Sequence, residues 1–350
     1  MKRLSPLART VLVVAANVLG VVVIFSLVEL GLALSIRVPP SHWAFRDALD
    51  AWYMDWERSI VQYEPACARY DPLLSYTLRP GRCRFANREF DVELRINSLG
   101  VRDDETALAA PEIVVLGDSF AMGWGVAQEQ AFPQRLARLT GRRVLNTGVS
   151  SYGTARELEL LRRVDTKAMS NLVIQYSDND ELENRFAVTH GHQLEIMPQD
   201  EYERIAREHN ARIPYFPGKY LLYFVPLLRD TRFPPRPAEP PPPHDPESEV
   251  DVFLQTLSAS QVDLSRVQVV VFELNGHNHN DDDFARRLAL QLTRPDLPDF
   301  VRRLRTLEVG HLLTPDDYFF YDDHLNERGH EKIARALVNL VAQPERQMTQ

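Results

Sequence analysis

The chain has 350 residues, of which 44% are hydrophobic and 25% charged, the balance of a folded protein with room for one large domain or two small ones. Its formal net charge of -9, with no basic stripe, zinc-finger spacing or internal repeat, argues against nucleic acid as a partner.

Residues 1–9 carry Lys2, Arg3 and Arg9 and read as a short cytoplasmic tail. From Thr10 to Ile36 the sequence is apolar, and Glu29 is its one ionisable residue. A helix crosses a bilayer core with roughly 20 residues, so this stretch predicts a transmembrane helix and the lipid bilayer as a partner. The cations before it and the mixed charges after it (Arg37, Arg46, Asp47, Asp50) predict a cytoplasmic N-terminus. The chain is then a single-pass protein of the inner membrane with its body in the periplasm or outside. A cleaved signal peptide ending at Ala33-Leu34-Ser35 is the competing reading. The apolar stretch is longer than the ~7–15 residues of a signal core, which favours the anchor.

Residues 37–105 form an exported segment ahead of the main domain. Pro39-Pro40 stop the first helix and Ser41 can cap a second. Phe45, Leu49, Trp52, Trp56 and Ile60 share one face of it, to lie on the membrane surface or to pack on the protein itself. Cys67 and Cys83 in an exported chain predict a disulfide, worth about 3 kcal/mol by loop closure, with free thiols as the alternative. Phe90, Val92, Leu94 and Ile96 alternate with charged residues as a half-buried strand, ended by the turn residues Asn97 to Gly100.

From about 106 to 345 strands alternate with helices, which predicts a three-layer α/β/α domain on a parallel sheet. Ile113–Leu116, Val144-Leu145, Asn171–Tyr176 and Val267–Leu274 read as strands. Ala131–Leu139, Thr154–Val164 and Gly329–Val341 read as helices. About 90 residues separate the last two strands, more than a crossover needs. An insertion is therefore predicted at about 185–262, containing apolar Tyr220–Leu228 and the polyproline stretch Pro234–Pro246. It can cap a site or be an ordinary surface excursion.

Chemistry in a parallel sheet gathers at the carboxyl ends of the strands. After the first strand comes Gly117-Asp118-Ser119, where glycine permits a tight turn and serine can open a helix with its hydroxyl presented, as a nucleophile or only as a cap. After the second comes Asn146-Thr147-Gly148, whose glycine lets the backbone approach a neighbour and offer its N–H. After the third comes Asn179-Asp180, whose amide can donate to a developing oxyanion or serve a loop. Near the end, Asp322 and His324 are two residues apart and point the same way in extended backbone, so the carboxylate can orient the imidazole. His277, His279 and Asp281 to Asp283 are metal-ligand types, but their spacing fits no closed site and predicts a solvated loop. No metal and no cofactor is expected.

Taken in chain order, these blocks resemble the SGNH hydrolase superfamily, the GDSL esterases and lipases. Ser119, Gly148, Asn179 and His324 stand at the positions of its four signature letters. "GDSFAMGWGV" and "NTGVSSYGT" lengthen the match, and "YDPLLSYTLRPG" and "INSLGVRD" look like the segment ahead of the catalytic domain in membrane-anchored bacterial members. The resemblance covers about 110–340 and implies a flavodoxin-like sheet. It implies Ser119 as nucleophile, His324 as base, Asp322 as its orienting partner, and an oxyanion hole from the N–H groups of Ser119 and Gly148 and the Asn179 amide. Asp118 and Asp180 are supporting residues. Many members place the aspartate three residues before the histidine, which here is Tyr321; the two-residue spacing occurs near polysaccharide O-acetyltransferases. Asp323 is expected to point elsewhere. The implied activity is removal of acyl groups, in the first place acetyl, from an envelope or exported carbohydrate. A lipid ester is an alternative substrate, and envelope polysaccharide machinery a further candidate partner. An O-acyltransferase using the same site and a non-catalytic binder of acylated glycans are the rival readings.

Overall fold

The computed structural model describes residues 5–37, 46–232, 246–276 and 280–341. The chain divides into two compact units, Met1–Glu57 with Arg212–Pro241, and Arg58–Ala211 with Pro242–Gln350. This division does not follow the expected boundary at 105/106. Residues from Arg58 onward cluster with the sheet, and part of the excursion clusters with the N-terminal helix.

The sheet unit opens with two antiparallel hairpins, β1 (Ala68–Asp71) with β2 (Ser75–Leu78) and β3 (Gly81–Ala86) with β4 (Asp91–Ile96). Leu94 and Ile96 of β4 are buried while Asp91 and Glu93 are exposed, as the alternation predicts. Cys67 and Cys83 are disulfide-bonded, with Cα atoms 5.3 Å apart.

The central sheet has five parallel strands in the order β6-β5-β7-β8-β9. They are β5 (Ile113–Leu116), β6 (Val144–Asn146), β7 (Asn171–Tyr176), β8 (Gln268–Glu273) and β9 (Arg305–Leu307). Renumbered from the first, this is the flavodoxin-like order 2-1-3-4-5, whose switch point lies at the first strand. The inner strands β5, β7 and β8 are largely apolar runs because both faces are covered. Val114, Leu116, Leu172, Ile174, Val269 and Val271 face one layer, built from α5 (Thr154–Leu161), α9 (Pro246–Ser258), α10 (Asp283–Gln291) and α11 (Asp299–Arg302). Ile113, Val115, Val173, Val270 and Phe272 face the other, built from α4 (Phe132–Thr140) and α12 (Glu327–Val341). Each fully buried aliphatic side chain contributes about 1.5–3 kcal/mol to this packing.

Between β7 and β8 run α6 (Asp180–Thr189), α7 (Gln199–Arg212), α8 (Lys219–Arg232) and α9. Val250, Phe253, Leu254 and Leu257 of α9 are buried against the sheet, so α9 belongs to the crossover that parallel pairing of β7 and β8 requires. The expected insertion limit at about 262 is therefore too late. The polyproline stretch lies outside the described residues, apart from Pro246, which opens α9.

The helical unit contains α1 (Pro6–Arg37), α2 (Arg46–Trp56) and α8. By length and composition α1 suffices to cross a membrane. Within the unit, Trp52 is fully buried and stacks on Tyr220, centroids 5.4 Å apart, so this residue of the predicted second helix packs inward. Ser41 and Phe45 lie outside the described residues, and Ile60 falls beyond the helix in extended backbone (φ -114°, ψ 120°).

Candidate active site

The chain leaves β5 through Gly117, at φ +150°, and enters the one-turn helix α3 (Ser119–Met122). A Cβ at Gly117 would stand 2.5 Å from Gln175 Oε1 and 2.6 Å from the Ala121 Cβ, so only glycine fits. Gln175 of β7 braces the turn, its Oε1 accepting the N–H groups of Asp118 (3.1 Å) and Ala121 (3.3 Å). Asp118 caps α3 by accepting the Phe120 N–H at 2.9 Å, and its other oxygen lies 3.1 Å from Ser177 Oγ. Burial pushes the Asp118 carboxyl up to about 6, against the pull of those donors and of His324. The turn thus presents Ser119 at the carboxyl end of β5, the switch point of the sheet.

The final block supplies the imidazole. Asn326 shapes it: its N–H donates to the Asp317 carbonyl, its amide to the carbonyls of Asp316 and Tyr318, and its Oδ1 accepts from Arg328 as α12 begins. His324 Nε2 lies 2.6 Å from Ser119 Oγ, and its Nδ1 lies 2.5 Å from Asp322 Oδ1. With Nδ1–H donated to Asp322, Nε2 is left to accept the serine proton. The expected approach of Asp322 to His324 is present, although the backbone there is bent and not the extended segment expected from the spacing. The expectation that Asp323 points elsewhere is not met: Asp323 Oδ1 lies 3.1 Å from the same Nδ1 and 3.2 Å from an Arg58 guanidinium nitrogen. The segment there is bent rather than extended, so alternation no longer separates neighbouring side chains.

Burial works to lower the His324 pKa, but the carboxylates of Asp322 and Asp323 outweigh it and hold the group up at about 9. In return, Asp323 stays well below the ordinary carboxylate range: burial raises it, and His324 and Arg58 more than offset that.

Three residues without a predicted role complete the arrangement. Trp124 donates its indole N–H to Asp322 Oδ2 at 3.0 Å, and its ring stacks on the imidazole at 4.7 Å and 14°. Phe120 also lies against the imidazole, centroids 4.7 Å apart. Glu89, from the β3–β4 turn, accepts the N–H groups of Phe320 (2.6 Å), Tyr321 (2.8 Å) and Asp322 (3.0 Å), and so holds the loop that carries the orienting carboxylate. Phe120 and Trp124 lie in the first sequence block, where an aromatic beside the serine was the available signal. Glu89 left none, because its partners are backbone groups more than 200 residues away.

The three residues expected to supply oxyanion donors are less uniform. The Ser119 N–H opens α3 and meets no acceptor among the described residues. Gly148 packs on the Ser119 turn, where a Cβ would lie 2.7 Å from the Ala121 carbonyl carbon, but its N–H donates to Asn146 Oδ1 at 2.9 Å instead of standing open. Asn146 also donates to the Ala121 carbonyl at 2.9 Å, tying the β5 and β6 ends together. Asn179 is exposed at the start of α6, with no capping bond from its side chain. Asp180 is turned away from this rim: its Oδ2 accepts from Thr154 N (3.2 Å) and Oγ1 (2.6 Å), joining α5 to α6.

Among the described residues, the group with cation-ligand geometry is Asp322, Asp323 and His324, whose atoms are already engaged with one another. His277 and His279 lie outside the described residues, and Asp282 instead accepts the backbone N–H groups of Val309 and Gly310. His330, the last residue of the block, is a buried acceptor for the Phe132 N–H at 3.3 Å; burial, together with nearby Arg102, Arg135 and His324, lowers its pKa to about 3.

No protein-family model matches the sequence, and no curated protein matches it either. Solved structures do. A member of the lipolytic G-D-S-L family from Veillonella parvula DSM 2008 is 11% identical over 66% of this chain and 98% of its own, with a TM-score of 0.37. A two-domain esterase active on acetylated mannans is 12% identical over 69% of this chain and 53% of its own, with a TM-score of 0.36. Likeness at this level leaves the chemistry to be argued from the chain's own residues.

Proposed function

We propose that the chain is a serine esterase of the SGNH type that works through an acyl-serine intermediate. The observation that carries this reading is the alignment of Ser119 Oγ, the His324 imidazole and the Asp322 carboxylate at 2.6 and 2.5 Å. Ser119 Oγ attacks the ester carbonyl as its proton passes to Nε2, and the imidazolium is stabilised by Asp322. The oxyanion is met by the Ser119 N–H, by the Asn179 amide, and by the Gly148 N–H once it leaves Asn146. The imidazolium then protonates the departing alkoxide. Water, deprotonated by His324, attacks the acyl-serine and releases the acid.

The finer reading is an acetyl or other short acyl ester on an envelope or exported carbohydrate. Ser119 is only 8% exposed and Phe120 and Trp124 crowd the imidazole, which favours a small acyl group. The apolar α1 preceded by cations supports a single-pass anchor with the site on the outer side of the inner membrane.

Ser119→Ala should abolish hydrolysis of p-nitrophenyl acetate and labelling by a fluorophosphonate probe, a loss of about 10⁶ in kcat for a triad serine. Purified Ser119→Ala protein that turns over at the native rate removes the serine from the mechanism. Acetate release from acetylated envelope glycans, absent in the variant, tests the substrate class.

A further inference from the structure

Glu29 is an anomaly in an apolar helix, and its contacts explain it. The side chain is only 3% exposed, and its two carboxylate oxygens accept the N–H groups of Tyr220 (3.1 Å) and Leu221 (3.2 Å). These are unsatisfied donors of the first turn of α8, and the negative charge also suits the positive end of that helix. The carboxylate on α1 is thus the cap of α8.

The cap fixes a level. From Thr10 to Val28, α1 gives roughly 28 Å free of ionisable side chains, close to the ~30 Å hydrocarbon core of a bilayer. Glu29 and the start of α8 then fall at the outer boundary of that core. Trp52, Tyr215, Tyr220 and Tyr223 gather around the same start, with Trp52 and Tyr220 stacked and Tyr223 edge-on to Trp52. Trp and Tyr side chains favour this depth. Along α8, Leu222 (57% exposed), Val225 (56% exposed) and Pro226 recur at helical spacing and form one exposed apolar face. Pro226 cannot donate to the Leu222 carbonyl, a loss that is tolerable where water still reaches the backbone and costly in hydrocarbon. A cavity of about 450 Å³ between α1 and this segment is lined mainly by apolar side chains, Phe25, Leu30, Ala33 and Leu34 among them, with Ser26 and Glu29 also on its wall.

We propose that α8 is a second membrane contact: it lies in the outer interface of the bilayer, capped by Glu29, with Leu222 and Val225 against the acyl chains. The occupant of the exposed face is lipid because Glu29 ties the start of α8 to a helix long and apolar enough to cross lipid. The inference rests on the anchor reading of α1, and the experiment separates the two.

The described residues hold no free cysteine, so single spin labels can be placed on the full-length protein in phosphatidylethanolamine/phosphatidylglycerol vesicles. Labels at Leu222→Cys and Val225→Cys should collide with oxygen several-fold more than with a water-soluble nickel chelate, as should Val18→Cys on α1. Leu290→Cys, 77% exposed in the sheet unit, should show the reverse. Positions 222 and 225 behaving like 290 while 18 reports lipid overturns the proposal alone. Low collision with both reagents, as under a protein partner, overturns it too. An aqueous signal at 18 overturns the anchor reading and this inference with it. Glu29→Ala should reduce the lipid signature at 222 and 225, while Glu29→Gln, which keeps an acceptor oxygen, should retain more of it. Native esterase turnover in both variants shows that the sheet unit is folded. Equal signatures in the native protein and Glu29→Ala refute the capping role.

Discussion

The sheet unit and the helical unit each hold a carboxylate that touches no reacting atom, half-buried at Glu89 and buried at Glu29, and both use it for one physical task. Glu89 accepts three backbone N–H groups of the loop that carries Asp322, and Glu29 accepts two at the start of α8. Backbone donors removed from water must find acceptors, and a carboxylate can serve two or three at once. The surroundings differ. Around Glu89 the satisfied loop holds the Asp322 carboxylate against the His324 imidazole, whereas beyond Glu29 the satisfied helix carries an exposed apolar face. An acid residue that breaks a hydropathy pattern is therefore best asked which N–H groups it closes before it is asked what it reacts with.

The comparison breaks most visibly at the residues that act on the imidazole directly. Asp322→Asn should lower kcat for p-nitrophenyl acetate by about 10⁴, because an amide favours the wrong tautomer of His324 while leaving the fold intact. A loss within tenfold would pass the orienting role to Asp323. Next in size is Asn179→Ala. Removing one oxyanion donor costs about 10²–10³ in kcat with KM nearly unchanged. An unchanged kcat would show that the exposed amide does not turn toward the reacting oxygen, leaving Ser119 and Gly148 to hold it.

Glu89→Ala tests the structural half of the comparison. It leaves three loop donors without their acceptor, and unsatisfied buried donors cost about 1–3 kcal/mol each when water cannot replace the bond. Glu89 is only partly buried, so water will replace some of these bonds. The expected outcome is a kcat lower by about 10- to 100-fold, that is about 1.4–2.7 kcal/mol, with fluorophosphonate labelling slowed in step. Native kinetics together with a lowered melting temperature would make Glu89 a stability residue and nothing more.

Legibility in the sequence followed the range of the interaction. β5 and β7 could be read to within a residue because a parallel strand buried on both faces must be a short apolar run bounded by turn residues. Ser119 and His324 could be singled out because each stands in a short run of turn and polar residues next to an apolar element, β5 in one case and α12 in the other. β9, only three residues long with an exposed Arg305, gave no hydropathy signal, and its strand character comes from pairing with β8. Glu89, Gln175 and Glu29 act on backbone N–H groups far along the chain; Gln175 and Glu29 stand out against apolar neighbours but nothing local names their partners, and Glu89 in a polar turn cannot be told from a solvated acid. Asp323 was misjudged for a related reason: alternation is a property of extended backbone, and this segment bends.

That bend has the smallest but most discriminating consequence. His324 must be neutral to accept the serine proton, and its pKa is held at about 9, so kcat/KM should climb with pH and level off only near that value. Asp323 is one of the two anions responsible, and Asp323→Asn removes its charge without touching Asp322. The alkaline limb should then move toward the ordinary histidine value, and the rate at pH 7 should rise a few-fold, because more of the imidazole is neutral. Stability carries the opposite sign. A group whose pKa is higher when folded stabilises the protein fully below its unfolded value near 6.5 and ceases to do so as pH rises through about 9. Urea midpoints should therefore fall between these limits in the native protein and fall less in Asp323→Asn. A variant whose pH-rate limb and urea midpoints both follow the native protein would mean that Asp322 alone sets the imidazole, and that the 3.1 Å approach of its neighbour is without electrostatic effect.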